Sequence, residues 1–181
     1  SPFLLVELLE GLREEVLVRV DSGRATLTDY RLPERVSASM RERLARMSES
    51  ARQVATVAGS LGRTFQLAEL AEMRAAAPAS LLASLEQLIE AGIVRAAGDQ
   101  LSFRHDLVRE AVRSACAPSA RRALDRQAAD IMLARGAMPV EVATHLAGSA
   151  EPGDEVAITT LLTAAEALAT TDPGASADLS R

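Results

Sequence analysis

The residue best placed for binding chemistry is His105, in the run Phe103-Arg104-His105-Asp106. Before it, Leu101 and Phe103 alternate with polar residues as in a half-buried strand, whereas after it apolar residues recur at helical spacing. His105 therefore lies at a corner between a strand and a helix, and Asp106 is expected to cap that helix. An imidazole at such a corner either contacts a ligand or serves as a structural hydrogen-bonding group.

The other reactive residue types favour structural roles. His145 lies among apolar residues, and no Cys, His or carboxylate stands at ligand spacing from it, so a metal site is not expected. Cys116 continues the apolar side of a helix, which favours a core position over a nucleophile. The sequence contains no G-x-x-x-x-G-K-[ST] phosphate loop and no Ser/His/Asp arrangement, so we expect no catalytic residue and no enzymatic activity in this chain alone.

Composition predicts a mainly α-helical protein. The 181 residues are 48% hydrophobic and only 2% aromatic, with no Trp, which favours aliphatic helix packing over a sheet sandwich. The net charge is −5 and every basic residue is Arg. A single cysteine predicts a reducing, cytoplasmic location. Glu7 and Glu10 interrupt the N-terminal apolar run, and nothing reaches the about 18 apolar residues that a membrane span needs.

The sequence pattern of residues 1–47 predicts a helix, a hairpin and a second helix. Helical periodicity covers residues 2–16, and two β-forming runs at 16–28 flank the turn residues Asp21-Ser22-Gly23-Arg24. After Leu32-Pro33, apolar residues again recur every three or four positions.

Residues 48–118 have the element order of a winged-helix domain. Ser48 is expected to cap a helix that ends near Gly62, followed by a short helix at 65–73, a longer one at 79–91 and a hairpin at 93–104. In that order, 79–91 takes the recognition-helix position and 93–104 the wing. DNA binding is disfavoured because helix 79–91 carries Glu86 and Glu90 but no basic residue to neutralise phosphates.

Several runs together resemble a known family: Pro2 to Leu9, Leu32-Pro33 with Met40 to Leu44, Ser50-Ala51-Arg52, Leu85 to Val94, and Phe103 to Val112. The chain is similar to the signal-transduction NTPases with numerous domains, and more narrowly to the large ATP-binding regulators of the LuxR family in actinobacteria. The resemblance covers nearly the whole chain.

The resemblance assigns three segments and two nucleotide contacts. It implies that 1–47 ends the helical subdomain of a nucleotide-binding module, that 48–118 is a winged-helix domain, and that 119–181 begins a tetratricopeptide-like sensor. His105 matches the histidine of the family's Met-His-Asp motif, which implies contact with the β-phosphate of ADP in a closed state, although Arg104 replaces the Met. Pro2 matches the proline that packs on adenine in the family's Gly-Asn-Pro or Gly-Leu-Pro motif.

The last third of the sequence predicts short helices joined by Pro/Gly turns, as in helical-repeat scaffolds, although no fixed repeat period is visible. Ser119 is expected to cap a helix that ends at Gly136, and Pro139 starts a short one. A further apolar stripe is predicted from Ile158, Leu161, Leu162, Ala165 and Leu168. Every charge from 136 to 180 is acidic, while 104–126 is Arg-rich. These are either two solvated faces or an acidic–basic contact between segments or subunits.

We therefore predict a regulatory, non-catalytic part of an ATP/ADP-switched LuxR-type transcriptional regulator. Its expected partners are the nucleotide-binding and sensor domains of the same protein, with homo-oligomers possible and with neither nucleic acid nor membrane contacted directly. The alternatives are a stand-alone winged-helix DNA-binding protein and a helical protein–protein interaction scaffold. A salt-dependent duplex-binding assay separates the first alternative, and binding with and without residues 119–181 separates the second.

Overall fold

A computed structural model describes residues 2–21, 24–27, 33–169 and 174, and this part of the chain is mainly helical, as predicted. The helices are α1 (Pro2–Glu14), α2 (Glu34–Ala45), α3 (Glu49–Leu61), α4 (Leu67–Met73), α5 (Leu82–Glu90), α6 (Asp106–Ser114), α7 (Pro118–Ala134), α8 (Pro139–Ala147) and α9 (Glu155–Leu168). The strands are β1 (Val18–Asp21), β2 (Arg24–Leu27), β3 (Thr64–Gln66), β4 (Val94–Ala97) and β5 (Gln100–Phe103). A 3-10 turn, Pro78–Leu81, precedes α5.

The N-terminal helix ends two residues earlier than predicted. The N–H of Leu17 donates to the Leu12 carbonyl at 2.9 Å, which closes the helix end, and Val16 adopts a positive φ of 55° instead of starting a strand. The predicted hairpin is present as β1 and β2, paired from Val18↔Leu27 to Asp21↔Arg24. Helix α1 packs against the start of α2 at Gly11, where a Cβ would lie 2.6 Å from the Pro33 Cβ.

The second sheet has three antiparallel strands in the order β3-β5-β4. The predicted hairpin 93–104 supplies β4 and β5, but the helix predicted at 65–73 is wrong over its first residues, because Phe65 lies in β3 opposite Leu101. Phe65 is buried against Phe103, with ring centroids 6.0 Å apart. Strand pairing with β5 and this aromatic contact together hold Phe65 extended, although it stands beside a helical pattern. Helix α4 then starts at Leu67, where the Gln66 N–H donates to the Glu69 carboxylate at 2.6 Å.

Helix starts were predicted with mixed success. The Ser48 cap is confirmed, because its hydroxyl accepts from the Ala51 N–H at 3.2 Å. The cap at Ser119 is wrong, because Ala117 is the N-cap of α7 and Pro118 fills the first helical position, which needs no N–H. The cap at Asp106 is also wrong, because Asp106 is already inside α6 and His105 occupies the N-cap position.

The buried apolar side chains form two clusters. The larger extends from Val36 on α2, through α3 to α6 and the three-stranded sheet, to Ile131 on α7. The smaller joins α7, α8 and α9 through Ala129, Val142, Leu146 and Ala157. Helix α7 contributes to both clusters and so connects them.

The apolar stripe predicted on α9 is right for some of its residues and wrong for others. Leu161 packs against the smaller cluster and Ala165 is buried, as predicted. Ile158 and Leu162 are instead about half exposed, whereas Ala157 and Ala164, which lie outside the predicted stripe, are buried. The inward face of α9 is therefore turned towards its alanines.

No described helix combines the length and the apolar character that a bilayer crossing demands.

Candidate functional site

The backbone of His105 is held at the corner between β5 and α6. It is extended, with φ −147° and ψ 149°. On the strand side, the N–H of Arg104 donates to the Ile93 carbonyl at 2.9 Å. On the helix side, the His105 carbonyl accepts from the N–H of Val108 at 3.0 Å and from that of Arg109 at 3.3 Å. The corner predicted from sequence is therefore present, and it fixes the point from which the imidazole projects.

The half-buried imidazole of His105 lies in an electropositive environment. Burial lowers its pKa below the ordinary value of 6.5, and the charges of Arg104, Arg63 and Arg95 lower it further. The imidazole is therefore mostly neutral at pH 7. A bound anion would offset these positive charges and favour the imidazolium form, so anion binding here is coupled to proton uptake.

The three arginines around His105 differ in how they are engaged. Arg63 pairs with Asp106 at 3.0 Å, and the Arg95 Nε donates to the Ser102 hydroxyl at 3.0 Å. Ser102 is buried, whereas the alternation of the strand predicted that it would be exposed to solvent. Arg104 is exposed, and its guanidinium lies over Gly92 without an ion pair to any described residue. Arg104 is thus the one of these three arginines whose guanidinium is available to pair with an anion.

The second predicted contact residue, Pro2, is the first residue of α1, and its side chain lies outside the described residues. The adenine role of Pro2 therefore remains a prediction from the family resemblance. His145 is 6% exposed on α8, which fits the structural role predicted for it. Over the described ranges, no group of three or more His, Cys, Asp or Glu side chains is arranged to hold a metal ion.

Sequence reasoning missed a buried ionic cluster formed by Arg109, Arg113 and Asp125. Arg113 donates to both carboxylate oxygens of Asp125, at 2.6 and 2.8 Å, and Asp125 is only 5% exposed. Arg109 and Arg113 also donate to the carbonyl of Gly59, at 2.9 and 3.4 Å. This carbonyl belongs to the last turn of α3, where helix carbonyls lack intrahelical partners and cations are favoured.

Gly59 itself allows this arrangement, because a Cβ there would lie 3.2 Å from the Arg113 Cγ. The hydrogen bonds to Asp125 raise the pKa of Arg113, so the guanidinium stays charged despite its burial. The signal in the sequence was the i, i+4 spacing of Arg109 and Arg113, which places both on one face of α6. Their partner Asp125 lies on another helix and has no local signal.

A polar cleft of about 890 Å³ lies between the first half of α7 and the loop before α9. Arg126 on one wall pairs with Asp154 on the other and also with Asp130 at 3.3 Å. Asp154 additionally caps α9 by accepting from the Ala157 N–H at 3.0 Å. The Arg-rich and acidic segments therefore contact each other at this pair, as one of the two interpretations of the sequence predicted.

Comparison of the chain with protein-family models, with curated proteins and with solved structures finds no significant match. The resemblance to nucleotide-switched regulators consequently rests on the residues of the sequence.

Proposed function

We propose that the chain is a regulatory, non-catalytic arm of a LuxR-type transcriptional regulator that is switched by ATP and ADP. Residues 48–118 form a winged-helix domain, residues 1–47 end the preceding helical subdomain, and residues 119–181 begin a tetratricopeptide-like sensor. In this proposal the protein is cytoplasmic. The arm packs against the nucleotide-binding domain and relays sensor movement to it.

The observation that carries the proposal is the position of His105. Its imidazole is held at the β5–α6 corner, half-buried, beside Arg63, Arg95 and Arg104. Such a site suits a phosphate group, because a diphosphate brings negative charge to Arg104 and Arg95, to Arg63 in its exposed pair with Asp106, and to the N-terminus of α6. Contact with the β-phosphate of ADP would stabilise the closed state, and its loss would shift the equilibrium towards the open state.

Two observations weigh on the alternatives. Helix α5 disfavours direct DNA binding, because it carries Glu86 and Glu90 and no basic residue. A scaffold role is supported by Met138, Val156 and Leu162, large apolar side chains exposed on or next to α8 and α9. We keep the scaffold as the second candidate function, because the sensor helices of the proposed regulator would expose similar surface to the next repeat.

The proposal is tested on this chain by titrating pyrophosphate and following the two histidine imidazoles by NMR. The pKa of His105 should rise towards or above the ordinary value of 6.5, because the anion favours the charged imidazole. His145, buried on α8, serves as the internal reference and should not change. The effect should weaken with added salt.

Arg104→Gln should reduce the pyrophosphate affinity about three- to tenfold, equivalent to about 1 kcal/mol for a partly exposed charge. Arg46→Gln is the matched control, since Arg46 is an exposed arginine on α2 that pairs with Glu42. In the full-length regulator, His105→Ala should speed ADP release and raise basal activity. An unchanged His105 titration together with an unchanged ADP off-rate would refute the nucleotide role.

A further inference from the structure

An apolar groove of about 390 Å³ runs between α5 and the β4–β5 turn. Its floor is formed by Leu67, Leu85 and Leu101, of which the last two are buried. Its α5 wall is formed by Leu82 and Ile89, which are 49% and 39% exposed. These two exposed side chains adjoin the apolar floor, so an apolar partner that enters the groove buries wall and floor together.

The exposed residues of the groove follow one line along α5. Leu82, Glu86 and Ile89 are spaced i, i+4 and i+7, so they share a face of the helix. At 1.5 Å rise per residue, Leu82 and Ile89 are separated by about 10 Å along the axis. Apolar side chains two turns apart, at i and i+7, on a second helix have the same separation, so the groove fits a helix laid along it.

The rim of the groove is acidic. Glu86 projects from α5, and Asp99 projects from the β4–β5 turn on the opposite side. Both are exposed, and neither forms an ion pair with a described residue. No residue that lines the groove is basic. An occupant with apolar residues towards the floor therefore gains from Lys or Arg at the flanking positions, and an acidic occupant or a DNA backbone is repelled.

We infer that this groove is a docking site for a basic amphipathic helix of another protein or domain. Leu82 and Ile89 contact its apolar stripe, and Glu86 and Asp99 pair with its flanking cations. The inference uses the α5 groove alone, so it stands or falls independently of the nucleotide role of His105.

The test uses a fluorescein-labelled 18-residue helical peptide with Leu on one face and Lys on the other, and measures its binding by anisotropy. The comparison probes are the same peptide with every Lys replaced by Glu and a 20-base-pair DNA duplex. Wild-type protein should bind the Lys peptide at least tenfold more tightly than the Glu peptide. Tighter binding of the duplex would overturn the inference in favour of a DNA-binding surface.

The apolar wall is tested with the double variant Leu82→Gln/Ile89→Gln, which should weaken binding of the Lys peptide at least tenfold. The matched control is Val6→Gln/Leu9→Gln on α1, where the side chains are 51% and 58% exposed. The control should bind like the wild type. An equal loss in both variants, or no loss in the first, would overturn the assignment to this groove.

The rim is tested with Glu86→Arg/Asp99→Arg, which should reverse the preference so that the Glu peptide binds more tightly. Both positions are exposed, so a thermal melt close to that of the wild type is expected and shows that folding is retained. An unchanged preference for the Lys peptide would overturn the role of the two carboxylates. Sedimentation of the unliganded wild type should show no self-association through the groove, and a dimer abolished by Leu82→Gln/Ile89→Gln would replace the inferred partner with a second copy.

Discussion

At the scale of single residues, both histidines have lowered pKa values, but their surroundings differ. His105 is half-buried next to arginines, so an anion can reverse its shift. His145 is buried on α8, and burial is the main cause of its low pKa, followed by opposing effects of Asp125 on α7 and of Arg109 and Arg113 on α6. No anion from solvent reaches His145 without disturbing the packing, so its titration is linked to folding.

The buried position of His145 predicts that the protein loses stability in mild acid. The folded state holds His145 neutral, whereas the unfolded chain binds a proton at an ordinary pKa of about 6.5. Stability is therefore fully present above this pH and falls as the pH drops below it, because the unfolded state then binds more protons. Urea unfolding at pH 7.5 and 5.5 should show this decrease in the wild type.

His145→Gln should reduce the pH dependence between these two values, since the residue that titrates is removed. His105→Gln is the comparison variant and should reduce it less, because His105 is more exposed. The same loss of stability at pH 5.5 in His145→Gln as in the wild type would assign the acid sensitivity to other groups.

At the scale of elements, the C-terminal end of α4 is closed by backbone hydrogen bonds although no glycine is present there. Helix α4 ends in a Schellman motif, in which the N–H of Ala76 donates to the Ala71 carbonyl and that of Ala75 to the Glu72 carbonyl, both at 3.0 Å. Ala75 has a positive φ of 46° at the position where glycine is usual. Ala75 is therefore a non-glycine residue held in a left-handed conformation, which costs free energy.

Ala75→Gly should stabilise the protein by about 0.5–1 kcal/mol, because it removes the left-handed strain at an exposed position. Ala38→Gly provides the opposite control, since Ala38 is exposed in the interior of α2 and such a position loses about 0.5–1 kcal/mol on the same substitution. The measurement is the free energy of unfolding in urea at pH 7.5. Destabilisation by both variants would mean that Ala75 is not strained.

At the scale of the whole molecule, the cluster of Arg109, Arg113 and Asp125 connects three helices. Arg113 on α6 holds the C-terminal end of α3 through Gly59 and holds α7 through Asp125. Helix α7 in turn contributes to both apolar clusters. The ionic cluster therefore joins α3 and α6 of the proposed winged helix to α7, the first helix of the proposed sensor.

Arg113→Ala should destabilise the protein by about 3–5 kcal/mol, because it leaves the Asp125 carboxylate buried without its partner. Arg63→Ala, which breaks the exposed pair with Asp106, should cost at most about 1 kcal/mol. Replacing both partners, as in Arg113→Met/Asp125→Leu, should recover most of the loss. Equal effects of Arg113→Ala and Arg63→Ala would show that the buried cluster contributes no more than a surface pair.

The sequence by itself determined the helical class, the two hairpins, the Ser48 cap and the strand-to-helix corner at His105, because periodicity, turn residues and capping groups act within a few residues of one another. It could not determine β3, since the extended backbone at Phe65 depends on pairing with Leu101, which is 36 positions further along the chain. Nor could it determine that the inward face of α9 includes Ala157 and Ala164, because that depends on how α9 packs against α8. The partnership of Arg113 with Asp125 and the groove beside Leu82 also required the tertiary structure, because each brings together side chains from separate elements.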